Sequence, residues 1–412
     1  MVNTIAKKKN DTLADSLSAP LRNWLAAADS YSKNLDDLLS ELQGLIQQLF
    51  EENEQQQRLR NLEKSVENLL KIRPVDGGED EIKIRLWQGH SYETFGAWDK
   101  ALKAYRQVIK LSDTEKLATF RAEAHLWIGH VQLMQNLWNE ALNSYQESLK
   151  IAQACGDEKG EANAHNGLGY YHFERGHFIE CMPNWERALE LAERINETKL
   201  TAKVNNNLGA LANVQGNWEK ALAFYAKSLP LFERIGETRG LAETYHNLAM
   251  TYVDADRWAE AGAHYELSYQ LAKDIGDVRL QATVKLNRVE LYMAVDDNRL
   301  AEALCKQALQ IFQRLKDQLG EADAYKFLGV IYTSRNEWVP AKSYFEKSIR
   351  LTRKHKSPLC EAEAHFEYAR MLRQKGNRKT AKKQYQFALD LFALVKAKKE
   401  IAQVERELAE MV

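Results

Sequence analysis

Cysteine, proline and net charge are all scarce in this chain, and each scarcity removes a class of protein. Four cysteines, Cys155, Cys181, Cys305 and Cys360, are scattered singly without C-x-x-C spacing. That argues against a disulfide framework, and free thiols in a reducing compartment are the simplest reading. Only 6 of 412 residues are proline, so little interrupts helix formation. Lys plus Arg (57) nearly cancels Asp plus Glu (58), and 28% of residues are charged, the balance of an ordered, helix-rich soluble protein. No apolar run approaches the roughly 18 residues of a membrane span. The N-terminus MVNTIAKKKNDTLADSL has no hydrophobic stretch behind its lysines, so neither signal peptide nor anchor is expected and the expected location is cytoplasmic.

Chemistry-bearing motifs are missing too. There is no H-E-x-x-H, no G-x-x-x-x-G-K-[ST], no G-x-S-x-G and no strand-linked G-x-G-x-x-G. The expectation is a protein that is not an enzyme and that uses no cofactor and no metal.

What the chain does have is a period. Gly89, Gly129, Gly169, Gly209, Ala249, Val289, Gly329 and Ala369 form a column spaced by 40 residues. Twelve positions on stand Ala101, Ala141, Cys181, Ala221, Ala261, Ala301, Ala341 and Ala381. Small residues in both columns mean that two helices touch there. Four positions further come Tyr105, Tyr145, Trp185, Tyr225, Tyr265, Cys305, Phe345 and Tyr385, on the alanine's helical face.

A turn column, Gly96, Asn136, Gly176, Gly216, Asp256, Asp296, Asn336 and Gly376, holds only residues that tolerate a left-handed backbone, as a helix stop before a reversal requires. Two residues later Trp98, Trp138, Phe178, Trp218, Trp258 and Trp338 recur, with Asn298 and Arg378 breaking the pattern. Gly156, Asn196, Gly236 and Gly276 mark the second helix's end. Each unit therefore reads as helix, tight turn, longer helix, short link. Repeat six departs, with Val289 for glycine and Cys305 for the ring, which points to looser packing or an altered angle there.

These columns, with phrasing such as GDEKGEANAHNGLGYYHFERG (156–176), resemble the tetratricopeptide repeat. The 40-residue period is similar to the longer-helix subtype of Leu-Gly-Asn-type adaptors and of kinesin light chains. The resemblance implies an all-α fold: a right-handed superhelix of about eight helical hairpins over 82–396, with a capping helix at 397–412. In that cap Ile401, Val404, Leu408 and Met411 share one face.

Residues 12–73 form a separate N-terminal helical domain after a disordered tail, 1–11. Pro20 restricts its first helix (Thr12 to Ser30) or marks that helix's start. Leu35, Leu38, Leu42, Leu45 and Leu49 make one apolar stripe, and Leu59, Leu62, Val66 and Leu69 another. The polar stretch 51–58 is either the middle of one long helix or a turn between two. RPVDGGEDE (73–81) reads as the linker, assigned to 74–81. A three-helix bundle, or a hairpin for self-association or effector binding, fits this segment.

In such an array the first helix of each hairpin lines the inner wall. Positions three before, one after and four after the glycine column share its face: Asn166, Tyr170 and Phe173, then Asn206, Ala210 and Asn213, then His246, Met250 and Val253. Asn207, Asn247 and Asn287 form the adjacent column. An asparagine amide carries two donors and an acceptor, so it can grip a peptide backbone whatever the peptide's side chains. Alternatively Asn207, Asn247 and Asn287 bond to the neighbouring hairpin. Asn206, Asn207 and Asn213 have no packing role that the repeat demands. The cations of a carboxylate clamp are missing from the central helices, which read Asn206-Asn207, His246-Asn247 and Leu286-Asn287.

From residue 341 to 400, 16 Lys or Arg face 6 Asp or Glu, and Lys326, Arg370 and Arg373 fall on the inner wall. An acidic segment could dock at that end. Nucleic acid is disfavoured, since aromatics do not interleave the basic stretch.

His172, His177 and Cys181 lie close in sequence with zinc-like chemistry. Yet His172 sits where other repeats carry Tyr and Cys181 sits in the alanine column, so core packing is the better explanation. Trp218 and Tyr225 are both read as core rings whose truncation to Ala costs about 3 to 5 kcal/mol. The functional expectation is a non-enzymatic scaffold or adaptor holding an extended protein or peptide segment in the groove. The alternative is a peptide sensor, because a helical segment of this size before such an array is similar in layout to Rap-type regulators.

Overall fold

A glycine and a ring explain the basic unit. In a computed structural model, which describes residues 55–72, 78–395 and 397–411 and isolated positions between 21 and 42, a Cβ placed on Gly209 would lie 2.4 Å from the Tyr225 ring. Gly89, Gly129, Gly169 and Gly329 meet Tyr105, Tyr145, Trp185 and Phe345 in the same way. The glycine on the first helix makes room for the aromatic on the second. Repeat six reverses the arrangement: Val289 supplies the bulk and Cys305 the small partner, both fully buried, and the Cys305 thiol donates to the Ala324 carbonyl at 3.2 Å. Volume is thereby exchanged across the pair and both side chains stay buried.

Among the described residues eight hairpins follow a leading helix, α1 (Gln55–Ile72). They are α2 (Glu79–Thr94) with α3 (Trp98–Leu111), α4 (Ala118–Met134) with α5 (Trp138–Cys155), α6 (Glu158–Glu174) with α7 (Phe178–Arg194), and α8 (Thr198–Val214) with α9 (Trp218–Ile235). Then come α10 (Thr238–Asp254) with α11 (Trp258–Asp274), α12 (Val278–Ala294) with α13 (Asn298–Leu315), α14 (Gln318–Ser334) with α15 (Trp338–Lys354), and α16 (Pro358–Gln374) with α17 (Arg378–Leu394). Helix α18 (Lys398–Ala409) ends the chain, with Val404 and Met411 buried and Ile401 and Leu408 half-buried against the last hairpin. The chain is an all-α solenoid.

Every residue of the turn column has positive φ, from 56° at Asp256 to 87° at Gly376. Two amides then close each helix end: in the fourth hairpin Gly216 N donates to Asn213 O at 2.8 Å and Asn217 N to Ala212 O at 2.9 Å. Between hairpins Lys316 (φ 57°) and Lys356 (φ 51°) do the same work without glycine.

The chain divides into two compact units, Met1–Gly160 and Glu161–Val412. In the first, Leu21, Trp24, Leu38 and Leu42 share one apolar cluster with Leu62, Val66 and Leu69 of α1 and Ile82 and Leu86 of α2. The N-terminal leucines thus share a core with the first hairpin. The tail 1–11, the start of the first helix at Thr12 with Pro20, Leu45, Leu49, 51–54 and 73–77 lie outside the described residues. In the second unit the core is segmented, one cluster per one or two hairpins, as expected where each repeat buries its face only on its neighbours.

The second unit also returns on itself. Leu359, the second residue of α16, packs with the apolar cluster of the third and fourth repeats. Val395, just past α17, sits over the turn of the third: a Cβ on Gly176 would lie 2.7 Å from Cβ of Val395. Trp218 corrects an expectation. Its neighbour in the repeat, Tyr225, is 1% exposed, but Trp218 is 36% and Trp258 38% exposed. The column stands at the first turn of the second helix, where Trp138 and Phe178 are covered, at 6% and 8% exposure, but Trp218 and Trp258 are not.

Candidate functional site

In the second unit the first helices of successive hairpins touch, and their expected inner-wall amides are engaged with one another. Asn207 Nδ2 donates to Asn166 Oδ1 at 2.9 Å, and Asn247 Nδ2 to Asn206 Oδ1 at 3.1 Å. Asn287 Nδ2 meets His246 Nε2 at 2.9 Å. Each step spans one period plus one residue, so one sequence column donates to the other across the seam between hairpins. Asn206 and Asn213 are 6% exposed, and Asn213 Nδ2 donates to Asp254 Oδ2 at 2.8 Å. The view that Asn206, Asn207 and Asn213 lack a packing role is therefore corrected. Inner-wall side chains of neighbouring hairpins converge, and an amide there reaches its counterpart one repeat away. The ladder aligns three consecutive seams.

His246 is the ladder's titratable rung. Burial pushes its imidazole down to about 4, so it is neutral at pH 7. The neutral ring lets Nε2 accept from the Asn287 amide.

The remaining expected residues differ in accessibility. Met250 is 38% exposed and available. Tyr170 and Phe173 are half-buried, and the Phe173 ring lies 5.7 Å from those of Phe178 and Trp185. The Glu174 charge beside Tyr170, with burial, holds its phenol well above the usual range. Partial enclosure shifts the Glu290 carboxyl upward, and its exposure to solvent limits that shift.

Toward the C-terminal end the cations are paired. Lys326 bonds to Glu363 and lies 3.5 Å from Asp323; burial opposes its charge, but these carboxylates hold its pKa well above the ordinary lysine value. Arg370 meets Glu407 at 2.6 Å and Glu367 at 3.0 Å, and Arg373 meets Glu410 at 3.2 Å. Glu407 also accepts from the Tyr385 hydroxyl at 2.6 Å. These three inner-face cations are thus locally balanced, because carboxylates 37 residues on face them. Charge count along a window does not see partners one repeat away.

Sequence reasoning missed Asp254, Glu174 and Lys399. All lie outside the columns used to define the groove, though Glu174 and Asp254 fall in one column of their own. His172 and His177 lie with ring centroids 6.0 Å apart, and the buried Cys181 thiol donates to the His177 carbonyl at 3.3 Å, a packing arrangement. Among the described residues no cluster of His, Cys, Asp and Glu could hold a metal, and no helix is long and apolar enough to cross a membrane.

The family model for the tetratricopeptide repeat matches residues 200–274 and 280–354. Those matches cover the fourth to seventh hairpins, and the same columns run through the others. The array is built of tetratricopeptide repeats. No curated protein matches the chain in sequence. Among solved structures, a tetratricopeptide array of similar fold is found in a Rap protein complexed with competence and sporulation factor. It is 14% identical with a TM-score of 0.56, over 81% of this chain and 97% of that one. The Rap conjugation gene regulator of the plasmid pLS20, in complex with a Phr peptide, is 15% identical with a TM-score of 0.58, over 82% and 96%. Aspartyl phosphate phosphatase F from Bacillus subtilis is 12% identical with a TM-score of 0.50, over 82% and 95%. At these identities the likeness is one of fold.

Proposed function

We propose that the chain is a non-enzymatic protein-interaction scaffold that holds an extended segment of a partner on the inner wall of residues 161–412. The observation that carries this reading is the amide ladder. It aligns the first helices of the third to sixth hairpins and leaves Met250 exposed, while Tyr170 and Phe173 on the third are half-buried. Apolar and aromatic contacts at helical spacing, flanked by fixed amides, suit a peptide whose backbone supplies donors and acceptors. At the C-terminal end an acidic segment docks by exchanging its carboxylates for those now on Lys326, Arg370 and Arg373. Cytoplasmic residence fits the free thiols.

Selection of a displayed random-peptide library on the full chain tests the groove. Met250→Asp is expected to abolish binding of the selected peptides with an unchanged melting temperature. Undiminished binding removes Met250 and its wall from the site.

The second reading is a peptide-sensing regulator in which groove occupancy repositions the N-terminal helices. It is supported by the likeness in fold to Rap proteins crystallised with peptides and by the return of the second unit on itself. X-ray scattering with a selected peptide distinguishes the two: a changed profile favours the sensor, an unchanged one the static scaffold.

A further inference from the structure

At the ends of the helices of the fourth and fifth hairpins, one surface site is already occupied by the chain itself. Lys399, in the first turn of α18, places its ammonium 3.3 Å from Oδ1 of Asp254, the last residue of α10 and 145 positions earlier. The same ammonium stands 5.9 Å from the centre of the Trp218 ring, within the range of a cation–π contact. The other oxygen of Asp254 is held by Asn213 Nδ2 at 2.8 Å. The seat is therefore a carboxylate, an aromatic face and an amide, the three groups that a basic side chain uses when it is bound.

One acceptor at this seat is unused. Oδ1 of Asn213, a residue 94% removed from solvent, is shielded from water and accepts no hydrogen bond. Leaving a shielded acceptor without a donor is costly, and natural proteins avoid it. An ammonium offers three donors around a point, whereas a guanidinium offers five in a planar fork. The seat holds more acceptors than Lys399 satisfies. The Lys399 contact is also weak: both side chains are well exposed, at 41% and 36%, where an ion pair contributes about 1 kcal/mol or less.

We infer that Asp254, Asn213 and Trp218 form a binding subsite for the basic side chain of a partner segment, arginine in preference to lysine, and that Lys399 is its tethered internal occupant. An incoming arginine displaces Lys399, which releases the tie between α18 and the fourth and fifth hairpins. The inference deepens the groove-binding reading and rests on it for the source of the arginine, but the subsite itself can be tested without a partner.

Reductive methylation of the full chain with labelled formaldehyde gives each lysine its own NMR signal and keeps its charge, and Lys399→Arg assigns that of Lys399. In the free protein the signal is expected away from the position of free dimethyl-lysine, because the Trp218 ring lies beside it, and Trp218→Ala returns it there. N-acetyl-argininamide at millimolar concentration is expected to move the Lys399 signal to the free position, the lysine analogue to do so more weakly, and the uncharged citrulline analogue not at all. Asp254→Asn should abolish the response, and Lys399→Ala should tighten argininamide binding up to about 5-fold, the equivalent of about 1 kcal/mol.

A Lys399 signal at the free position in the unliganded protein, or equal displacement by citrulline, overturns the inference. The peptide library separates this from the groove reading. Selected groove ligands that ignore Asp254→Asn leave the groove reading standing and sink the subsite. Displacement by argininamide with no peptide selected keeps the subsite and sinks the groove reading.

Discussion

The two halves of the inner wall in residues 161–412 use one backbone and opposite chemistry. From the third to the sixth hairpin, neutral amides and one neutral imidazole join successive helices over 41 residues. From the seventh hairpin to α18, ion pairs join them over 37. Short amides need close approach and are buried by it, as the 6% exposure of Asn206 shows, whereas Arg370 and Arg373 reach farther and keep 37% and 36% of their side chains exposed. The comparison teaches that the seam between repeats is filled either by desolvated hydrogen bonds or by ion pairs whose guanidinium partners stay partly in solvent. The first should be sensitive to protonation and truncation, the second to salt.

The largest effect should be blind to that difference. Tyr225→Ala in the neutral half and Phe345→Ala in the charged half each remove a fully buried ring seated on a glycine, and each is expected to cost about 3 to 5 kcal/mol in denaturant unfolding. Trp218→Ala, more than a third exposed, should cost about 1 kcal/mol or less. A Trp218 cost matching that of Tyr225 contradicts the observed packing.

Acid should strike the neutral half. The folded pKa of His246 lies below its unfolded value of 6.5, at about 4, so the unfolded chain binds the extra proton. The stability from the neutral ring is present above pH 6.5 and is lost as pH falls toward 4, up to about 3 kcal/mol over that window. Thermal melts of wild type and His246→Gln between pH 7 and 4.5 check this, and a variant with the same pH slope as wild type refutes it.

Next in size, Asn206→Ala strips the acceptor from Asn247 and should destabilise by about 1 to 3 kcal/mol with little dependence on salt. The smallest change belongs to the charged half. Arg370→Ala should cost about 1 kcal/mol or less, and most of that should vanish in 1 M salt, since its pairs with Glu367 and Glu407 are partly exposed. A salt-dependent Asn206 or a salt-independent Arg370 erases the distinction between the halves.

Much of the architecture was legible because packing acts column by column. The glycine at 209 and the ring at 225 predict each other once the period is known, and the turn column demanded positive φ at all eight positions. The stops at Lys316 and Lys356 were not legible, since lysine carries no preference for that backbone and is held there by the closing amides. At the candidate site, the faces of Asn166, Asn206 and His246 could be read from helical spacing, but their engagement with Asn207, Asn247 and Asn287 could not. That pairing depends on how far one hairpin rotates against the next, a quantity no single repeat encodes. The pairing of Lys326, Arg370 and Arg373 was hidden for the same reason, and the seating of Lys399 on Asp254 depends on the whole turn of the second unit.

That return has a consequence for how such a chain can grow. Every junction in the array is relative: ring to glycine at sixteen residues, turn to turn at forty, amide to amide at forty-one. A duplication or loss of one 40-residue cassette would reproduce all of them and leave each seam intact. Val395 over Gly176 and Lys399 on Asp254 are not of that kind, because they count how many cassettes lie between the third repeat and the end. Local rules leave the repeat number open to gene duplication, and closure of the second unit is the constraint that selects one number.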